Sequence, residues 1–241
     1  VHLASLQHLP TLQRQYYLCS GVHLRKFPTS HILLDCDADR YFRFTGQQSA
    51  WLAEINQADD CSRLSSSASR FANRLLEMKL ITCNPDEGKH IRLHVRPHPR
   101  SALYDMAPTV IATHFQWRAI SAFLHACVSA GHLRRTADLK HTLNCATKWR
   151  AICSRSRPAE EIQDLTRYFH SLTPFVFSSH EVCFFRSLVL LRFLSLMGVG
   201  ADWEFGVRPL PFSAHCWVEH EGMVLNDHLD HVSEYRKIMS V

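Results

Sequence analysis

The chain has 241 residues, of which 46% are hydrophobic and 20% charged, enough for one large core or two small ones. The net charge of +5 comes mostly from residues 1–100, where 13 Lys/Arg face 9 Asp/Glu, a smaller surplus than a dedicated nucleic-acid binder needs. Nine scattered cysteines, an odd number with no CxxC pair, predict reduced thiols and a cytoplasmic home rather than a disulfide framework. The start "VHLASLQHLPTLQRQ" lacks the basic-then-apolar order of a secretory signal. The most apolar long window, Val110 to Leu133, carries Thr113, His114, Gln116, Arg118 and His125 and is too polar for a membrane span.

Residues 1–14 read as a tail. Short β runs follow: "QYYLC", "HILLDC" and "RYFRFT", the last two joined into a hairpin by Cys36-Asp37-Ala38-Asp39. Asp35, Asp37 and Asp39 have the spacing of a calcium loop. Arg40, however, stands where that loop needs Gly and Gly46 where it needs Glu, so calcium is not expected. Thr45 and Gln48 make a capping box for a helix with Trp51, Leu52 and Ile55 on its apolar face. A second helix carries Leu64, Ala68, Phe71, Ala72, Leu75, Leu76 and Leu80 at the 3.6-residue period. "LITC" and "HIRLHV" around Asn84–Gly88 read as a β wing, which makes residues 15–100 a winged-helix module closed by Pro97-His98-Pro99. Three helices are expected next: Pro108 to Ala130, stopped by Gly131; Thr136 to Ile152; and one starting at Pro158 with Glu160, Glu161 and Asp164 near its positive end.

Ser178 and Glu181 can cap a helix that contains Cys183 and is apolar on nearly all sides from Phe184 to Met197, the pattern of a buried central helix. A thiolate near the amino end of such a helix is favoured by unpaired N–H groups and the macrodipole, although a cysteine there also serves as a small core side chain. "ADWEFGVRP" then reads as a strand and "SAHCWVEHEGMVLND" as a β-hairpin with the three-residue loop His220-Glu221-Gly222. That register sets His215 opposite Asp227 on one face; a two-residue loop would set Asp227 opposite Cys216 instead. A thiol, an imidazole and a carboxylate in this layout suit nucleophilic catalysis by Cys183, with His215 as base and Asp227 orienting the ring.

Cys183-x-x-Arg186-Ser187-Leu188, Gly206-Val207, Pro211-Phe212 and "AHCWVEHEGMVLND" resemble the lasso-peptide leader peptidase family, whose catalytic domain is transglutaminase-like and papain-related. "ILLDCDADRYFRFTGQQSAWLAEI" is similar to PqqD-like recognition elements, winged-helix modules that bind the leaders of ribosomally made precursor peptides. The resemblances imply an α+β chain: a leader-recognition module at 15–100, then a cysteine protease domain at 101–241 with a Cys-bearing helix packed on an antiparallel sheet. They imply Cys183, His215 and Asp227 as the catalytic residues, a leader paired on the sheet near Phe44 with Arg70 and Arg74 as contacts, and no cofactor or metal. The implied partners are the precursor peptide and an ATP-dependent lasso cyclase, not nucleic acid or membrane. Cys216 departs from the family, which often has Ala or Ser there, and strand parity points it away from His215.

Three other readings remain at this stage. The same three residues can pass an acyl group to an amine. His215, His220, His228 and His231 sit among acids but match no zinc spacing, and His215 and His220 differ in strand parity. A winged-helix regulator would read DNA with a helix at Ser67–Leu80 bearing Arg70, Arg74 and Lys79.

Overall fold

A computed structural model of the chain describes residues 15–58, 60–91, 97–106, 117–151, 157–176 and 183–241. The expected tail, the Ser178/Glu181 cap, most of the "HIRLHV" strand and the start of the Pro108 helix lie outside the described residues.

The first half is built on a three-stranded antiparallel meander of β2 (Val22–Lys26), β3 (Ser30–Asp35) and β4 (Arg40–Thr45). The expected hairpin joins β3 to β4. The Asp35 carboxylate accepts the N–H groups of Asp37 (3.0 Å) and Ala38 (3.2 Å), and Asp39 takes a positive φ of 50° to close the turn. Helices α1 (Gly46–Gln57) and α2 (Ser66–Glu77) cover one face, burying Leu52, Ile55, Phe71 and Leu75 against Leu24, Leu33 and Phe44. Thr45 occupies the N-cap of α1 but makes no capping bond with its side chain, whereas Ser65 caps α2 by accepting the Ala68 N–H.

A small second sheet forms around β1. Strands β5 (Ile81–Thr82) and β6 (Gly88–Lys89) flank β1 (Tyr17–Cys19) and do not pair with each other. The physical reason is room: a Cβ on Gly88 would stand 2.5 Å from the Tyr17 Cβ, so only glycine lets β6 close on β1.

The second half is layered. Strands β8 (Asp202–Pro209), β9 (Phe212–His220) and β11 (Arg236–Ser240) form an antiparallel sheet extended by β10 (Met223–Val224) and, in parallel, by β7 (Ser101–Ala102). Helix α6 (Cys183–Leu196) lies between this sheet and the helices α3 (Trp117–Thr136), α4 (Leu139–Ala151) and α5 (Ala159–Leu172). It is buried on all sides through Leu188, Val189, Leu190, Phe193 and Leu194, as its all-round apolar pattern requires. Gly131 does not stop α3, because Ala130 and Leu133 on either side of it are buried in the core and their packing outweighs its weak helix propensity of about 1 kcal/mol. A short helix, α7 (Leu229–Ser233), precedes β11.

The halves share a strand. Every residue of β3 is buried. Leu33 faces α1 and α2, while Ile32 and Leu34 belong to the core of the second half together with Phe205, Val207 and Met239. Tyr41 of β4 packs edge-on to Phe212 (5.8 Å between centroids), and the Arg43 guanidinium donates to the Pro209 carbonyl (2.6 Å). Lys140 of α4 pairs with Asp37 across the same seam. Among the described residues no helix is long and apolar enough to cross a membrane.

Ile32→Ala removes a side chain with no exposed surface from this shared wall. The expected loss is about 2–5 kcal/mol in urea unfolding, with fluorescence of Trp51 and of Trp203 and Trp217 falling in one transition rather than two.

Candidate active site

Cys183 occupies the first turn of α6, half-buried, where the positive end of the helix favours a thiolate. His215 projects from β9 and donates through Nε2 to the Asp227 Oδ2 at 2.5 Å, which leaves Nδ1 for the thiol. The Cys183 thiol is drawn down to about 4. The main cause is a hydrogen bond from the Cys216 thiol; against the burial penalty, the hydrogen bond and positive charge of His215 and the Cys216 backbone add to it. Burial opposes the His215 cation, but the hydrogen bonds to Asp227 and Cys183 outweigh it and lift His215 to about 9. Asp227 is likewise penalised by burial, yet the hydrogen bonds from His215, His231 and the His228 N–H hold it at about 2. The three groups therefore form a thiolate, an imidazolium and a carboxylate at neutral pH.

The hairpin reaches this arrangement by another register than the three-residue loop predicts. Met223 pairs with His220 and Val224 with Glu219, so the loop is the two-residue Glu221-Gly222. Both residues have positive φ, 49° and 83°, as a type I′ turn demands. Continued regularly, that ladder would carry Asp227 opposite Cys216. It stops first. After the Leu225 N–H bonds the Val218 carbonyl, the next donor, the Val218 N–H, goes to the Asn226 side chain at 2.8 Å instead of to backbone. The Asn226 amide donates to the Ser187 hydroxyl (2.9 Å), the Arg186 guanidinium to the Asn226 carbonyl (2.6 Å), and the His170 ring to the Leu225 carbonyl (2.9 Å). Burial lowers His170 to about 4, so it stays neutral and donates through Nε2 while Tyr104 donates to its Nδ1. Freed from the ladder, the chain turns and delivers the Asp227 carboxylate to His215.

The His215 ring is bracketed by Trp217 (5.9 Å, nearly parallel), Tyr235 (5.2 Å) and His231 (4.6 Å). Trp217 is anchored behind the sheet. Its indole N–H donates to Glu219 (2.6 Å), which Lys237 holds at 2.7 Å with Glu204 at 3.4 Å, all three buried. Gly206 opposite His215 has a steric reason: a Cβ there would lie 2.7 Å from the Trp217 ring and 2.8 Å from the Tyr235 Cβ.

Of the sequence-derived candidates, His215 and Asp227 are joined by a hydrogen bond, and Cys183 lies near enough for the charge of His215 to lower its thiol. Of the four histidines weighed for zinc, His215 and His231 come together on Asp227, their donor atoms within 4.8 Å, and that trio is where a metal ion would fit among the described residues. Both rings already spend a nitrogen on Asp227. His220 instead bonds the Gly200 carbonyl and His228 the Asp105 carboxylate. Arg70 and Arg74 lie exposed one turn apart on α2. The Phe44 ring is buried, edge-on against Phe71.

Asn226, His231 and Cys216 were not singled out for the site. The signal for Asn226 was its type, since Asn and Asp are depleted in strands and mark a ladder's end. His231 stands one helical turn after Asp227. Cys216 does lie on the face away from His215 by parity, but that face meets α6, and its sulfur rests 3.9 Å from the Cys183 sulfur.

Two measurements follow from the geometry. Alkylation of Cys183 by iodoacetamide, read by peptide mass mapping, is expected to stay nearly level from about pH 8 down to about pH 5, where an ordinary thiol slows about tenfold per unit. Asn226→Ala should cost about 1–3 kcal/mol through unpaired Val218 and Ser187 groups and should weaken that acid-side reactivity by releasing Asp227 from His215, while the hydrogen bond from Cys216 preserves part of it.

No curated protein and no solved structure matches the chain. Residues 127–240, which include α6, the strand that bears His215 and the bend that bears Asp227, are similar to the transglutaminase-like superfamily, a group that includes cysteine proteases and acyltransferases.

Proposed function

We propose that the chain is a cysteine peptidase that removes the leader from a ribosomally made precursor peptide, with Cys183 as nucleophile, His215 as acid–base and Asp227 as the residue that orients His215. What supports this best is the 2.5 Å hydrogen bond from His215 to Asp227 beside a Cys183 thiol that Cys216 and His215 draw down to about 4, with the imidazole lifted to about 9. The thiolate attacks the carbonyl at the leader–core junction and its electrons pass to the oxygen. The Cys183 N–H at the helix start is the donor proposed for that oxygen. Collapse expels the amine, which takes its proton from His215, and leaves an acyl-enzyme. His215, now neutral, draws a proton from water as the water attacks the acyl carbon, and the thiolate departs. The freed core would pass to an ATP-dependent lasso cyclase.

Recognition is assigned to the first half. Strand β4 is an edge of its sheet among the described residues, so its backbone can accept an added strand, beside which α2 presents Arg70 and Arg74. The same strand carries Tyr41, whose ring packs edge-on against Phe212 of β9, the strand that bears His215. A leader lying on β4 would therefore enter beside Cys183.

Cys183→Ala is expected to bind the precursor yet release no leader by mass spectrometry; undiminished cleavage would overturn the proposal. His215→Ala should lower kcat at least about a thousandfold and Asp227→Asn less. The pH profile of kcat/KM should be a bell: activity falls below about 4 as Cys183 gains its proton and above about 9 as His215 loses its own. A product extended by an added amine instead of water would assign the chain to acyl transfer.

A further inference from the structure

The strand residue Cys216 makes and breaks no bond in the proposed hydrolysis; it lies against Cys183 and donates a hydrogen bond that lowers the Cys183 thiol. Its sulfur is 3.9 Å from that of Cys183 and donates toward it. The two thiols differ in their surroundings. Cys183 is half-buried in the first turn of α6, whereas Cys216 is 4% exposed, enclosed by β9, α6 and the Ser187 hydroxyl that bonds its carbonyl. An oxidant from solvent therefore meets Cys183 first, and Cys183 is the one held as a thiolate, the form that reacts.

We infer that Cys216 is a resolving thiol, and that oxidation of this protein by a peroxide closes a reversible disulfide between Cys183 and Cys216. In the first step the Cys183 thiolate attacks one peroxide oxygen; the S–O bond forms, the O–O bond breaks, and hydroxide leaves, taking the His215 proton to become water. The product is a sulfenic acid. In the second step the Cys216 sulfur attacks the Cys183 sulfur; the S–S bond forms, the S–O bond breaks, and the departing hydroxide takes the Cys216 proton as a second water. Two thiols lose two electrons in total and the peroxide gains them. A disulfide needs about 2.05 Å between sulfurs, so the pair has about 2 Å to close, within reach of side-chain rotation at Cys183. Without a resolving thiol the sulfenic acid would go on to the sulfinic acid, which ordinary thiols do not reduce. The device would thus hold the enzyme inactive and recoverable under oxidation.

The inference rests on Cys183 being a reactive thiolate, not on the identity of its substrate, and its test reads mass rather than cleavage. The full-length reduced protein is treated with hydrogen peroxide, digested without reductant and mapped. The expected product is a cross-linked pair of peptides containing Cys183 and Cys216, lighter by two hydrogen atoms than their sum and separated by dithiothreitol. Cys216→Ser, treated alike, is expected to carry a sulfinic acid at Cys183 that dithiothreitol does not remove. A wild-type map showing Cys183 as sulfinic acid, joined to a different cysteine, or unoxidised would overturn the inference, and it does so even if the variant fails to fold. Reduced protein that forms the cross-link but cleaves no precursor would count against the proposed substrate alone.

Discussion

The hydrogen bond from the Val218 N–H to the Asn226 side chain is the constraint on which the site depends. A β ladder has no reason to end while both strands continue to offer donors and acceptors. Here a side-chain amide takes the place of the next backbone carbonyl, so the donor is satisfied while the main chain is released to turn. Arg186 and Ser187, one turn along α6 from Cys183, fix the Asn226 carbonyl and amide. The helix that carries the thiol therefore also holds the segment that carries the acid. Position is shared between the thiol and the carboxylate through a few bonds, without any long loop having to be ordered.

Three charges then sit in a partly buried space, and burial alone would neutralise each of them. They persist because each is hydrogen-bonded to the next, and because Asp227 accepts from two rings and a backbone N–H at once. The Trp217–Glu219–Lys237 anchor behind the sheet does related work at a distance. A buried ion pair adds little net stability, but it fixes the indole that lies along His215 and so limits where that ring can go.

Much of this was legible in the sequence because local chemistry and final structure agree. The all-round apolar run of α6 demanded a buried helix, the Asp35–Asp39 turn demanded a hairpin, and the hairpin after β8 was expected to bring Asp227 beside His215. What could not be read depends on events between distant segments. The register of β9 and β10 turned on whether Gly222 alone or Glu221 as well adopts positive φ, and a non-glycine residue there gives no sign in advance. The contact of His215 with Asp227 was correctly foreseen from a register that the protein does not use; the bond from Val218 to Asn226 restores by a side chain what the two-residue turn takes away. The pairing of β5 and β6 with β1 rather than with each other is likewise a long-range choice, made where Gly88 lets the chains approach.

The double burial of β3 has a geometric consequence. A strand with one face in each core cannot be pulled from either without exposing Ile32 and Leu34 or Leu33 to water. The distance from the free edge of β4 to the Cys183 sulfur is then a property of the folded chain, as fixed as the span between two marks on a ruler. On the proposed reading, a peptide gripped on that edge would be cut a set number of residues downstream of the gripped segment. Selection of the scissile bond would come from measured length, with the side chains at the junction left free to vary.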